Sequence, residues 1–361
     1  MGAGLAGLAA AITLEKHGIS PDIYEKRNCP GDRFVNGEII LSALNRPVVD
    51  SLKYLSEKHG IYLLPVSNIT KMIIYSSAEK AVIEGELGYI NLRGRHEHSF
   101  EKQLATQVKG KIKFNSDQSY EELINQYTHV LMATGDAAYS LKLNNYRKDL
   151  AVTLKGATVT GTFNSSTVCT WLDYSLAPLG YGYLIPFSEK EANVVLAYPD
   201  YRKNREKDLN RLWEKYFQRV GNDIKQELKV TDRFEITRYI IGICKNPRID
   251  NTFFVGNCFG AIMPFLGFGQ FPSILSGVYA AHDLCGRGNY EQLVKPLRKS
   301  YDNSLVLRRL LEALDNKKLN LLVRGMKGRV GSLVFNSRRV NLLGLMGNLM
   351  RIIPVKKRPG N

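Results

Sequence analysis

Six residues at the start of the chain carry the clearest chemistry: Gly2, Ala3, Gly4, Leu5, Ala6 and Gly7 fit the pattern G-x-G-x-x-G. In that pattern the first glycine permits a tight turn. The second lets backbone approach a pyrophosphate, and the third lets a helix pack close to a strand. The Ala- and Leu-rich run from Leu5 to His17 predicts a helix, and Gly18 terminates it. Its N-terminal N–H groups and dipole would face phosphate. Ile19–Tyr24 reads as the next strand, with Glu25 at its end, where an acid accepts from a ribose hydroxyl. Glycines, helix, strand and acid in this order predict dinucleotide binding. Only Met1 precedes Gly2, where such a unit ordinarily opens on a hydrophobic strand. The expectation is either a start placed differently or a sheet without its central strand, its neighbouring edges exposed.

The 361 residues are 44% hydrophobic and 23% charged, values of a globular chain rather than a disordered one. Five cysteines are scattered, odd in number and form no C-x-x-C, which points to a reducing cytosol and against a disulfide scaffold or zinc site. No signal peptide is read ahead of the glycine motif, so a cytoplasmic protein is expected. His96-Glu97-His98 has no third ligand spaced nearby, and no metal is expected. The net charge of +16 is concentrated late: after Asp315 there are five Lys and six Arg and no acid. Such a field attracts nucleic acid or an anionic membrane. No nucleic-acid motif accompanies it, and Leu342, Leu345, Met346, Leu349 and Ile353 fall at helical spacing among the basic residues. That favours a peripheral helix in a membrane interface.

Between these ends the pattern alternates. A loop at Cys29–Arg33 leads to a Gly37-Glu38 turn and a helix through Leu55; Met72–Tyr75 and Ala81–Glu84 suggest a hairpin. Phe100–Val108 reads as helix, Ile112–Phe114 as strand, and His129–Ala133 as a buried strand ending at Gly135-Asp136. From Ala151 to Ala197 the pattern reads as β, in short runs rich in Thr, Val and aromatics of which the first is Ala157–Phe163. Lys203–Arg219 is a charged helix, and Phe234–Cys244 a further strand. Thr252–Ala281 is thirty residues without a charge, yet five glycines with Pro264 and Pro272 argue for strand, glycine loop and helix rather than a membrane span.

Taken together these pieces resemble the geranylgeranyl reductase family, FAD-dependent enzymes of the p-hydroxybenzoate-hydroxylase-like fold. The resemblance rests on GAGLAGLAAA at the start, on Glu25-Lys26-Arg27, and on Phe100–Ala105, which is similar to the family's FDxxLA. It rests most on Val255–Gly269, which looks like GDAAGxxxPxxGxG, and on Gly180–Pro186, which is similar to YxWxFP. It implies an α/β fold: a Rossmann-type FAD-binding domain from 1–65, 93–150 and 246–290, an inserted, mainly antiparallel β-sheet substrate domain from 66–92 and 151–245, and a C-terminal basic helical region at 291–361. It implies FAD held by Gly2, Ala3, Gly4, Leu5, Ala6, Gly7, Glu25, Lys26, Asn36, Gly37, Arg95, Gly135, Asp136, Asn257, Gly267, Gly269 and Gln270. Tyr181, Tyr183, Ile185 and Pro186 would line a channel for a prenyl lipid, held by buried area and aromatic surface.

There are departures. Asn257 replaces the usual Asp, Tyr183 and Ile185 replace Trp and Phe, Asn36 stands for a frequent Cys, and Glu97 holds the place of an Arg for which Arg95 is the nearest substitute. The implied activity is reduction of prenyl C=C bonds in a lipid or quinone precursor, with electrons from NAD(P)H or a reduced carrier protein. No catalytic residue is assigned. A flavin monooxygenase, or a degenerate flavoprotein without activity, is the alternative. Flavin-dependent halogenases share a WxWxIP resemblance at Tyr181–Pro186, but Val35 stands at the position of their lysine.

Overall fold

The Thr-, Val- and aromatic-rich runs of the middle of the chain assemble, in the computed structural model of the protein, into one eight-stranded sheet; residues 1–337 are described. Its order is Lys229–Cys244, Tyr146–Thr160, Glu191–Pro199, Tyr181–Pro186, Thr167–Leu172, Ser67–Ser76, Lys80–Arg93 and Asn36–Leu41. Every pairing is antiparallel except Ser67–Ser76 with Thr167–Leu172. Glu191–Pro199 is buried along nearly its whole length, as a central strand covered on both faces must be. One cover is the helix Leu209–Ile224, which packs Leu212, Trp213, Tyr216 and Val220 against Leu184, Val194 and Leu196.

The glycine motif folds as read. Leu5–Lys16 is a helix with Gly18 just beyond its end at φ +78°. It is buried on most sides and packs against the helix Gln270–Leu284, where Gly277 lies so close to Ala6 that a Cβ would strike the Ala6 backbone. The sheet beside it is split in two. One half is the parallel pair Ile23–Tyr24 and Ile112–Lys113; the other is Arg248–Ile249, Thr252–Phe254 and Val130–Met132. Met1 and Gly2 stand between them: the Gly2 N–H donates to Tyr24 O at 2.7 Å, and Ala133 N–H donates to Met1 O at 2.9 Å. The two residues thus hydrogen-bond to both half-sheets.

Several expectations are corrected. The strand over Ile19–Tyr24 shrinks to Ile23–Tyr24, because Pro21 has no N–H to give and the strand has one regular partner. Gly37-Glu38 lies not in a turn but inside the strand Asn36–Leu41. The helix expected through Leu55 gives way to a short 3-10 turn, Ser42–Leu44, and a helix over Ser51–His59. Pro47 interrupts, and Asp50 starts the helix by accepting from Lys53 N–H. The charged helix breaks at Asp208, whose side chain caps Leu209–Ile224. Phe100–Ala105 is shorter than read, and Tyr146–Thr160 begins eleven residues before the expected Ala157. The uncharged stretch is strand, 3-10 turn, loop and helix; among the described residues no helix is long and apolar enough to cross a membrane. The interfacial helix expected around 342–353 lies outside the described residues.

Candidate cofactor and active site

The glycine positions differ in what they enclose. A Cβ on Gly2 (φ +99°) would overlap Ala133 O, and one on Gly7 would overlap Gly2 O, so both serve the fold. A Cβ on Gly4 would meet nothing within 4 Å. Gly4 is the N-cap of the helix and no side chain caps it, so the first helical N–H groups face open space with their positive dipole end. Ala3, Leu5 and Ala6 point their side chains into the core. The Glu25 carboxylate accepts from Ala3 N–H at 2.8 Å and from Arg27 N–H at 3.0 Å, which fixes it beside the turn; Lys26 is exposed next to it.

The end of Val130–Met132 and the start of the 3-10 turn Gly256–Cys258 meet at Gly135. Its φ is +87° and nothing lies within 4 Å of a Cβ there. Asn257 Nδ2 donates to Gly135 O at 2.8 Å and to Tyr239 Oη at 2.7 Å, and the Tyr239 hydroxyl donates to Gly135 O at 2.9 Å. Asp136 turns back to accept from Ala138 N–H. Burial pushes the Tyr239 phenol up to about 12, so it stays a donor. Tyr239 was not read from the sequence. It lies 18 residues from Asn257, on the long edge strand, and only pairing of that strand with Tyr146–Thr160 brings it here.

A polar cluster follows on the inner side. Glu38 Oε2 accepts from Gln270 Nε2 at 2.5 Å and lies 3.5 Å from Arg93 Nη1, while Asn36 Nδ2 donates to Glu38 Oε1 at 2.8 Å. Arg93 also meets buried Glu101 at 2.7 Å, and Arg33 approaches the same carboxylate at 3.8 Å. Burial and the neighbouring Arg93 pull the Arg33 guanidinium below its usual range. Arg95 is not part of this group: its side chain pairs with Asp232 at the surface. Arg33 and Arg93 are therefore the cations of the site, and no motif in the sequence marked them. Gly37 sits in the strand with its N–H on Asn193 Oδ1, and a Cβ there would press on Ile185 and Asn193.

The third component is an aromatic wall. Along Tyr181–Pro186, Tyr181, Tyr183 and Ile185 share one face and pack with Met263, Phe265 and Phe268 of the glycine-rich loop and with Leu307 and Leu311. Gly182 and Leu184 face the opposite way, where Tyr216 covers them, and Pro186 is buried at the strand end. The Tyr181 hydroxyl donates to Leu266 O at 2.5 Å, tying wall to loop. Burial pushes the Tyr181 phenol up to about 12 and the Tyr183 phenol well above its usual range. Gly267 (φ +74°) and Gly269 end the loop at the N-terminus of Gln270–Leu284, which no side chain caps.

With this geometry in place, comparison with known proteins shows the fold. Residues 1–168 match the family model described as pyridine nucleotide-disulphide oxidoreductase. No curated protein matches by sequence. Among solved structures, a geranylgeranyl bacteriochlorophyll reductase-like protein from Thermoplasma acidophilum is similar at 16% identity and a TM-score of 0.68, over 97% of this chain and 94% of that one. The flavin-dependent brominase Bmp2 is similar at 13% identity and 0.66, over 97% and 96%. A mutant of 2-methyl-3-hydroxypyridine-5-carboxylic acid oxygenase is similar at 15% identity and 0.58, over 94% and 95%. The chain has the α/β fold of FAD-dependent oxidoreductases, with a Rossmann-type half, a large curled sheet and C-terminal helices.

Proposed function

We propose that this protein is an FAD-dependent oxidoreductase that reduces C=C bonds of a prenyl, geranylgeranyl-type lipid or quinone precursor. The residues fit FAD on two grounds. Gly4 and Gly135 leave open backbone where a phosphate and the chain beyond it would approach, and the buried Arg33 Nε, Asn36 Oδ1 and Gln270 Oε1 have no partner among the described residues. Gly2–Gly7 and Glu25 would hold the dinucleotide end, Asn257 and Gly135 the chain between, and Gly37, Gly267, Gly269 and Gln270 the ring. When bound and reduced, FAD supplies a hydride to one alkene carbon.

The observation that carries the substrate class is the wall. Tyr181, Tyr183 and Ile185 present apolar and aromatic surface toward Phe265 and Phe268, and such surface retains a hydrocarbon by excluding water. Tyr181 Oη is committed to Leu266 O, whereas Tyr183 Oη makes no hydrogen bond among the described residues and burial keeps it protonated. Tyr183 Oη is thus the hydroxyl on this wall free to orient the alkene or to give a proton to its second carbon. Electrons would come from NAD(P)H or a reduced carrier protein.

The test is anaerobic turnover of a geranylgeranylated lipid by the photoreduced yellow protein, followed by flavin reoxidation and product mass. The expected result is a gain of two hydrogens per bond, slowed at least tenfold in Tyr183→Ala with flavin content unchanged. Substrate-dependent oxygen consumption with hydroxylated product would replace reduction by monooxygenation. A colourless protein that takes up no FAD would leave a fold without its chemistry.

A further inference from the structure

Between the helix Ser51–His59 and the strand Ser67–Ser76, residues 60–66 form no regular element, yet burial alternates there as along a strand. Ile61 and Leu63 are buried in one cluster with Leu52, Leu55, Phe100 and Leu104. Tyr62 and Leu64 face the other way, 66% and 77% exposed. Neither belongs to the cofactor site.

Two glutamines hold this segment. The Tyr62 N–H donates to Gln107 Oε1 at 2.9 Å, and Gln107 Nε2 donates to Tyr62 O at 2.6 Å. Four residues earlier, Gln103 does the same for Leu64, accepting from its N–H at 2.8 Å and donating to its carbonyl at 3.1 Å. Each amide thus exchanges both bonds with one residue, as the partner in an antiparallel ladder does. Gln103 Nε2 also donates to His98 O, and Gln107 Nε2 to Gln103 O, which fixes the amides themselves. The two bare side chains are therefore presented on a stiff backbone, and a contact they make loses little freedom on forming.

We propose that Tyr62 and Leu64 are an interfacial anchor that sets the protein on an anionic bilayer; the inference does not depend on the proposed reaction. The charge around the segment selects that surface. Exposed Lys16 and Lys58 flank it at His59–Gly60, where Lys16 Nζ donates to His59 O at 2.7 Å. Lys102 adjoins Gln103, and exposed Lys109 lies two residues beyond Gln107. The acids beside it are already engaged: Glu57 with Lys53 at 3.7 Å, Glu97 with His98 at 3.4 Å, and Glu15 with the backbone N–H groups of Lys109 and Gly110. An apolar pair among lysines suits a headgroup boundary. There Leu enters the acyl region, a Tyr ring lies at the interface and ammonium groups meet anionic lipid. Two side chains are too few for a protein partner, since a stable protein contact takes roughly 800 Å² from each side. A bilayer takes up single side chains.

The test adds mixed phosphatidylglycerol–phosphatidylcholine vesicles, at low salt, to the full chain and to two variants. In Leu64→Trp the new indole reports the anchor directly, over a steady background from Trp171 and Trp213, which are 1% and 8% exposed. The expected result is a blue shift of its emission when vesicles are added, and quenching by brominated acyl chains. Tyr62→Ser combined with Leu64→Ser should bind at least tenfold more weakly and melt where the parent does, because the replaced side chains face solvent. Neither readout involves flavin or turnover. Undiminished vesicle binding by the Ser pair, binding that leaves the Trp emission unmoved, or equal binding to phosphatidylcholine alone would overturn the proposal. So would emission already blue-shifted before vesicles are added, which would show a second copy or the C-terminal segment seated on the pair.

Discussion

The three motif glycines make separable demands. Gly7 and Gly2 face backbone, so any side chain there must move Gly2 O or Ala133 O, and the turn fails with it. Gly4 has φ −89°, a conformation any L-residue adopts, and open space where its side chain would go. Gly4→Val should therefore fold with a melting temperature close to that of the parent and yet hold no FAD, while Gly7→Val should fail to fold. Flavin absorbance per mole of protein, read beside a circular-dichroism melt, separates the two. Full flavin occupancy in folded Gly4→Val would remove the dinucleotide reading. Asn257 belongs to the same scale: as an amide it donates to both Gly135 O and Tyr239 Oη, which an ionised Asp could not do. The replacement read from the sequence as a departure thus has a bonding role of its own.

At the scale of elements, packing of Ser51–His59 on Gln270–Leu284 sets a pH dependence. His59 lies against Tyr54, Tyr279 and His282, and neither of its ring nitrogens has a partner among the described residues. Burial, with His282, Lys16 and Lys58 nearby, lowers it to about 4. The unfolded residue titrates near 6.5, so between these values the unfolded chain binds the extra proton. Stability is complete above pH ~6.5 and falls as the pH drops toward 4. His282 is lowered as well, chiefly by burial with His17 and Arg287 adding, and contributes in the same direction. His59→Phe should flatten the denaturant midpoint between pH 6.5 and 4.5, leaving the slopes of His282 and His96, both also lowered by burial. An unchanged slope would show that His59 is solvated.

For the whole molecule the net charge of +16 is the dominant long-range property. The described helices Asn316–Gly325 and Arg329–Asn336 expose Leu321, Leu322, Leu333 and Val334, and the sequence that follows them is basic. The prenyl lipid proposed as substrate would be reached at a bilayer, and basic residues near an anionic surface contribute about 1 kcal/mol each. We expect the protein to cosediment with phosphatidylglycerol vesicles at low salt and to be released at high salt. A folded chain ending at Asn336 should bind markedly less. Equal binding by the shortened chain would place any membrane contact elsewhere.

What the sequence determined by itself is the local chemistry. The glycine turn, its helix and the acid after the next strand are written within 25 residues, because turn conformation, helix propensity and capping act between neighbours. The alternating β runs and the glycine-broken apolar stretch were legible for the same reason. Tertiary structure decided the rest. Whether Asn36–Gly37–Glu38 is turn or strand depends on its pairing with Lys80–Arg93, and which arginine enters the site depends on Asp232 holding Arg95 outside. Tyr239, Arg33 and Arg93 carry no motif; strand register and helix packing bring them to Gly135, Glu101 and Glu38 across long stretches of chain. The edges that face each other across Met1 are likewise a product of where two half-sheets come to lie, since hydrogen bonding between strands is set by position in space and not by order along the chain.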